Sequence, residues 1–301
     1  MVDAARDFVQ PAGFVRVDRG INRPTASEIS TSVERELIPA LSGRVSYVYK
    51  NIRNLWGEID AIRAPAYTVP FSFVDPGPDT VRGTADDQTF NTFDRPASIG
   101  SDRVYTNPEN NHADFHTVEL ALNRRFTDRW MLLTSFGYTW LNQIHSSSTT
   151  VSAGNGQTFS YRPADLMFGD NGYETSTLWN YKVIGRYTLP YDVGMSGSWK
   201  VQSGGNWGRS LSVAFPGDGT RTVRVEPVTT NRGETVQILD VRFDKSFRLG
   251  GSTRLTAMVD AFNLTNAGTV TTFRNATTST YKEVTALLDP RIVRFGVRFD
   301  F

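Results

Sequence analysis

The densest gathering of ion-binding groups is residues 75–88, Asp-Pro-Gly-Pro-Asp-Thr-Val-Arg-Gly-Thr-Ala-Asp-Asp-Gln. Asp75, Asp79, Asp86 and Asp87 place four carboxylates in a Gly- and Pro-rich loop. Ca²⁺ takes six to eight oxygens in flexible geometry, so the cluster is a candidate structural Ca²⁺ site. The spacing is not that of an EF-hand, and Asp, Pro and Gly are also common turn formers. Both readings stand at this point. His112, His116 and His145 are the only histidines. The first two are four apart in strand-like or loop sequence, where they do not form the compact pair a helix makes, so no Zn site is expected. With no cysteine, disulfides, thiolate metal sites and Cys nucleophiles are excluded. No Gly-x-Ser-x-Gly elbow and no P-loop is present. No catalytic constellation emerges, and the chain is not expected to be an enzyme.

A second set of charges is arranged by period rather than by cluster. Glu119, Arg125, Arg186, Asp240, Arg242, Asp260, Arg294 and Arg298 fall on one parity of segments whose other parity is apolar. Glu34, Lys182, Lys200 and Asp244 join them. Alternate strand residues face opposite sides. A strand with one greasy and one charged face suits a membrane barrel, with lipid outside and water or protein inside. The charged face is then a lumen wall of interspersed sign, carrying cross-strand ion pairs or lining a solute path.

The elements that carry these faces are long strands. Residues 25–37 and 43–50 alternate, as do 114–126 and 130–142, 179–189 and 193–202, and 236–248 and 252–264. The last is Arg291 to Phe301, with Val293, Phe295, Val297, Phe299 and Phe301 on one side. Trp130 and Trp140 share a face ten residues apart. At roughly 3.4 Å per residue and a tilt of about 45° they stand about 24 Å apart along a barrel axis. That is the height of the apolar band between aromatic girdles, and Trp199 is a further girdle candidate. Short turns near 39, 128, 191 and 250 alternate with long connections at 51–112, 145–175, 203–234 and 265–290. Outer-membrane barrels alternate short periplasmic turns with long extracellular loops in this way, whereas Greek-key sandwiches have no reason to. Strand extensions are expected near 66–74 and 89–93. Trp56, Phe90, Phe93, Tyr105, Phe159, Tyr161, Tyr173 and Trp207 fall in the loops, either to meet a ligand or to pack the loops together.

The fold expected is all-β, a partial antiparallel transmembrane barrel of about nine or ten strands over residues 25–301, with residues 1–24 an irregular loop. Net charge is +1, so no nucleic-acid partner is expected; outer-membrane lipid is. No run of about 18 apolar residues marks a transmembrane helix, and a mean hydropathy of −0.34 is compatible with strands that are apolar on alternate residues only. Met1 to Asp7 lacks the apolar core of a secretory signal. The expectation is that the chain is a piece of something longer.

Three segments together resemble TonB-dependent receptors of the Oar-like kind. They are Ser32-Val33-Glu34-Arg35-Glu36-Leu37 with Arg44-Val45-Ser46-Tyr47-Val48; Glu119 to Phe126 with Trp130 and Tyr138-Thr139-Trp140; and Val259-Asp-Ala-Phe-Asn-Leu-Thr265. The terminal strand, with Phe295, Phe299 and Phe301, resembles the assembly signal of outer-membrane barrels, which implies the barrel assembly machinery as a partner. The resemblance implies a plugged barrel of roughly 22 strands, of which this chain supplies part. It also implies uptake of a large solute powered through the TonB system by segments outside this chain. A passive or structural outer-membrane barrel or adhesion protein, and a secreted carbohydrate-binding β-sandwich, are the alternatives.

Overall fold

The computed structural model describes residues 15–147 and 159–301. Its main body is one nine-stranded antiparallel sheet: β1 (Thr25–Ile38), β2 (Leu41–Arg53), β3 (Ala113–Thr127), β4 (Trp130–Ile144), β5 (Tyr173–Thr188), β6 (Val193–Gln202), β7 (Val236–Gly250), β8 (Thr253–Phe262) and β9 (Ile292–Asp300). Every strand pairs with its chain neighbour in that order. Among the described residues the sheet is open, since β1 pairs only with β2 and β9 only with β8. Among the described residues there is no α-helix, and strands rather than helices carry the membrane-facing surface.

Four short turns join the lower ends. Asp128 and Arg129 both adopt positive φ, 49° and 73°, between the paired Thr127 and Trp130. Two left-handed residues make the turn whose twist matches a right-twisted hairpin. Tyr191 and Asp192 also take positive φ, 62° and 56°, but within a longer turn that includes Leu189 and Pro190.

Register fixes the two faces. Leu120 opposes Phe136, Tyr181 opposes both Phe136 and Val201, and Val259 opposes Phe243 and Phe295. These rows are the outer face. On β9 the outer residues have nothing over them, and Phe295 is 78% and Val297 70% exposed. Among the described residues no second sheet covers the greasy side, so the sandwich alternative fails.

The upper connections are far from structureless. Residues expected as strand extensions near 66–74 and 89–93 do form strands, Val69–Asp75 and Gln88–Asp94, but these pair with each other as a separate hairpin. The 203–234 loop holds a second hairpin, Ser210–Phe215 with Gly219–Arg224. Tyr173 begins β5 rather than lying in a loop. Within the 1–24 stretch, Arg16–Val17 pairs in parallel with Val104–Tyr105. Residues 1–14, with the segment read for a signal, lie outside the described residues, as does 148–158 of the 145–175 connection.

Candidate functional site: the loop cap and the inner wall

The two loop hairpins bury their apolar faces against each other. Val69–Asp75 sends Phe71 and Phe73 to one side, and Ser210–Phe215 sends Leu211, Val213 and Phe215 to meet them. The Phe71 and Phe215 rings lie 4.7 Å apart and Phe73 and Phe90 stack at 5.5 Å. Ala164, Val223 and Val225 complete a dry core above the sheet. The loops thus fold into a cap, held as a small soluble domain is held: apolar burial is non-directional and scales with area, and here the area comes from three separate connections.

Charges seal the edges of this core. Asp75, wholly buried, accepts from Arg209 Nη1 at 3.0 Å and Nη2 at 2.6 Å. Arg209 Nε donates to Glu226 at 2.7 Å. Asp218 collects three guanidiniums: Arg95 at 3.1 Å, Arg162 at 2.8 Å and Arg221 at 3.2 Å. Burial pushes the Asp218 carboxyl up, but Arg221 and Arg162 outweigh it and hold its pKa below the usual range. Beside them, burial pushes the Tyr67 phenol up to about 12. Asp94 accepts from the Gly217 and Arg95 backbone N–H groups at 2.6 and 2.8 Å. Arg224 pairs with Glu174 at the top of β5, tying the second hairpin to the wall. His145, just past β4, is fully buried, and neither ring nitrogen has a partner among the described residues. Burial and then Arg224 lower its pKa to about 4, so it is neutral at pH 7.

The four carboxylates read as a candidate Ca²⁺ set do not form a common site. Asp75 is neutralised by Arg209 inside the cap. Asp79 accepts from Val81 N–H at 2.8 Å, Asp87 from Gly83 N–H at 2.7 Å, and Asp86 from the Thr84 hydroxyl at 2.7 Å. These three cap turns of their own exposed loop. Among the described residues no group of three or more His, Asp and Glu side chains gathers as for a metal. The histidines do not meet either. His112 stacks on Tyr173 at 4.7 Å and His116 bonds the Tyr47 hydroxyl at 2.7 Å.

The lumen-wall residues do share one face. Arg186, Ser196, Arg242, Asp260 and Arg294 form a single cross-strand row over β5 to β9. Asp260 accepts from Arg242 and, at 2.8 Å, from Arg294. Arg186 reaches diagonally to Asp244 at 2.9 and 3.0 Å. Asp240 accepts from Asn263 N–H at 3.0 Å and Arg298 donates to Asp300 at 3.0 Å. Glu119 and Arg125 lie on the same parity of β3. Of the girdle residues, all three stand on the outer face. Trp130 lies beneath the Arg124 guanidinium, 4.0 Å from its ring, at the lower rim. Trp140 lies 4.6 Å from Tyr138 near the upper rim. Trp199 is in register with Val183 and through it with Thr134, midway along the ladder rather than in either rim row.

Of the loop aromatics, Phe90 and Trp207 pack inside the cap region, and Tyr161 lies against Tyr67. Trp56, Phe93 and Tyr105 are exposed. Sequence reasoning passed over Arg209, Asp218, Glu226 and Arg224. A signal was present: Leu211, Val213 and Phe215 alternate up to Pro216-Gly217-Asp218-Gly219, a turn sequence in which Gly219 takes φ of 75°.

A long antiparallel sheet with a lipid-ready outer face, an ion-paired inner face, short turns below and folded loops above is the wall of an outer-membrane β-barrel. Residues 2–208 match the family described as Outer membrane beta barrel domain, and the chain belongs to that family. A comparison with curated proteins and one with solved structures found no match. The protein resides in the outer membrane.

Proposed function

We propose that this chain is the C-terminal barrel portion of a TonB-dependent receptor, an importer of a large solute rather than an enzyme. The observation that carries the reading is the open, odd-numbered sheet. Strands alternate in direction, so β1 and β9, both unpaired on their outer edges among the described residues, run the same way. A spanning sheet has to close, because hydrocarbon offers its edge groups no hydrogen bonds. Antiparallel closure then needs an odd number of further strands, supplied by another part of the receptor. The ion-paired inner wall suits contact with a hydrated plug, and the folded cap suits capture of a solute at the outer surface. The barrel assembly machinery would receive the strand that carries Phe295, Phe299 and Phe301.

The test is made on the full gene product. A plugged receptor stays closed in a planar bilayer and binds the purified periplasmic domain of TonB. Steady open conductance with no TonB binding would make the protein a passive barrel instead.

A further inference from the structure

A cavity of about 480 Å³ lies between residues 202–207, 233–238 and 270–275. Val236 and Ile238, which line it, oppose Gln202 and Lys200, so it opens on the inner side at the upper ends of β6 and β7. We propose that this cavity is a binding site for a neutral carbohydrate, one or two sugar rings in size. The proposal rests on the reading of the cap as the face a solute meets, and names the solute's class.

The lining chemistry leads there. Sugars present an apolar C–H face and an edge of neutral hydroxyls. The Phe273 ring supplies an apolar wall, braced by Trp207 at 4.8 Å and 70°. The side-chain amides of Gln202 and Asn206 and the hydroxyls of Thr271 and Thr272 supply neutral donors and acceptors. Asn206 is only 5% exposed, and its side chain makes no hydrogen bond within the described residues. The cavity is where that amide can find partners. The walls are close-built: a side chain at Gly204 would strike the Gly233 carbonyl, while Gly233 N–H donates to Gly205 O at 2.9 Å. Among the described residues no lysine or arginine lines the cavity, and its one charged group there, Glu234, holds Val270 N–H at 2.8 Å. Anionic ligands therefore find no counter-charge.

The experiment presents the full-length protein, in a detergent without a sugar headgroup, to an array of neutral di- to tetrasaccharides of glucose, mannose, galactose and xylose. Sialylated and phosphorylated sugars and a tetrapeptide pool form the other arms. The expected result is binding of at least one neutral glycan. Thr272→Trp, which fills the cavity, weakens it at least tenfold, and Asn206→Ala weakens it several-fold, with heat-modifiable gel migration unchanged. Should either variant lose that migration, Thr271→Trp replaces it. The proposal is overturned if no neutral glycan binds, if charged sugars or peptides bind in preference, or if Thr271→Trp and Thr272→Trp leave binding intact. Glycan binding without TonB binding would retain this site and remove the receptor reading. TonB binding without glycan binding would do the reverse.

Discussion

The wall and the cap solve opposite solvent problems with the same strand geometry. In the wall, Leu120, Phe136 and Val297 point out and Arg242, Asp260 and Arg294 point in. In the cap, Phe73, Val213 and Phe215 point in, and Arg209, Asp218 and Arg221 close the edges. Hydrocarbon reverses the sign of exposure for an apolar side chain, so one chain carries an inside-out sheet topped by a conventional core. The cap therefore answers to rules measured on soluble proteins, and the wall to depth in the bilayer.

The largest effect is expected where that contrast is sharpest. Removing one partner of a buried ion pair leaves an uncompensated charge and costs about 3–5 kcal/mol. Arg209→Ala strands the fully buried Asp75 together with Glu226. Hydrogen exchange in 69–94 and 210–224 should rise sharply while β2 to β8 keep their protection. Loss of protection in the wall as well would show that the two regions fold as one unit.

A lipid-face charge tests the other side. Arg near the bilayer midplane of a barrel costs roughly 2–4 kcal/mol, so Leu120→Arg should lower the unfolding free energy of the wall, read from urea titration, by that much. Glu119→Arg, one residue away on the inner face, should shift it by less than about 1 kcal/mol. Equal costs at the two positions would break the assignment of faces.

The cap also titrates. Free histidine has a pKa near 6.5, and buried His145 is lowered to about 4. The unfolded chain thus takes up a proton first as pH falls. Cap stability attributable to His145 is intact above 6.5 and is lost progressively down to about 4, a drop of about 3 kcal/mol. Protease resistance of the cap should fall over that window, and His145→Phe should flatten the response. Asp218, held below its usual range by Arg221 and Arg162, acts lower still. Its contribution is present above the unfolded carboxylate pKa and fades as pH drops through the folded one.

How much of this was legible in the sequence follows from element length. The nine wall strands run from 9 to 16 residues, and a period of two sustained that long leaves little room for another reading. Trp130 and Trp140 share a face ten residues apart, as the alternation implies, because one uninterrupted strand joins them. The cap strands run 6 or 7 residues, and their apolar sets of two or three, such as Phe71 and Phe73, lie inside loops. Their meaning depends on partners more than 100 residues away, as Phe73 on Phe215 and Asp75 on Arg209. Asp75 illustrates the limit: its neighbours in sequence are carboxylates, which suggested a cation, while its neighbour in space is a guanidinium. Trp199 shows the same limit in the wall, since its height depends on the stagger of β6 against β5.

The smallest expected effect separates packing from charge on the inner wall. Gly194 lies between Arg186 and Asp244, and a Cβ there would meet both the guanidinium and the carboxylate. The glycine thus leaves room for a diagonal ion pair spanning β5 to β7 across β6. Half-exposed pairs are worth about 0–1 kcal/mol, so Gly194→Ala should displace the bridge yet leave the urea midpoint nearly unchanged, because alanine also removes backbone freedom from the unfolded chain. A double-mutant cycle of Arg186→Gln and Asp244→Asn should give a coupling below about 1 kcal/mol, vanishing in the Gly194→Ala background. A coupling of several kcal/mol would mean that this part of the wall is dry and packed as the cap is, and the distinction between the two regions would then hold only for the outer face.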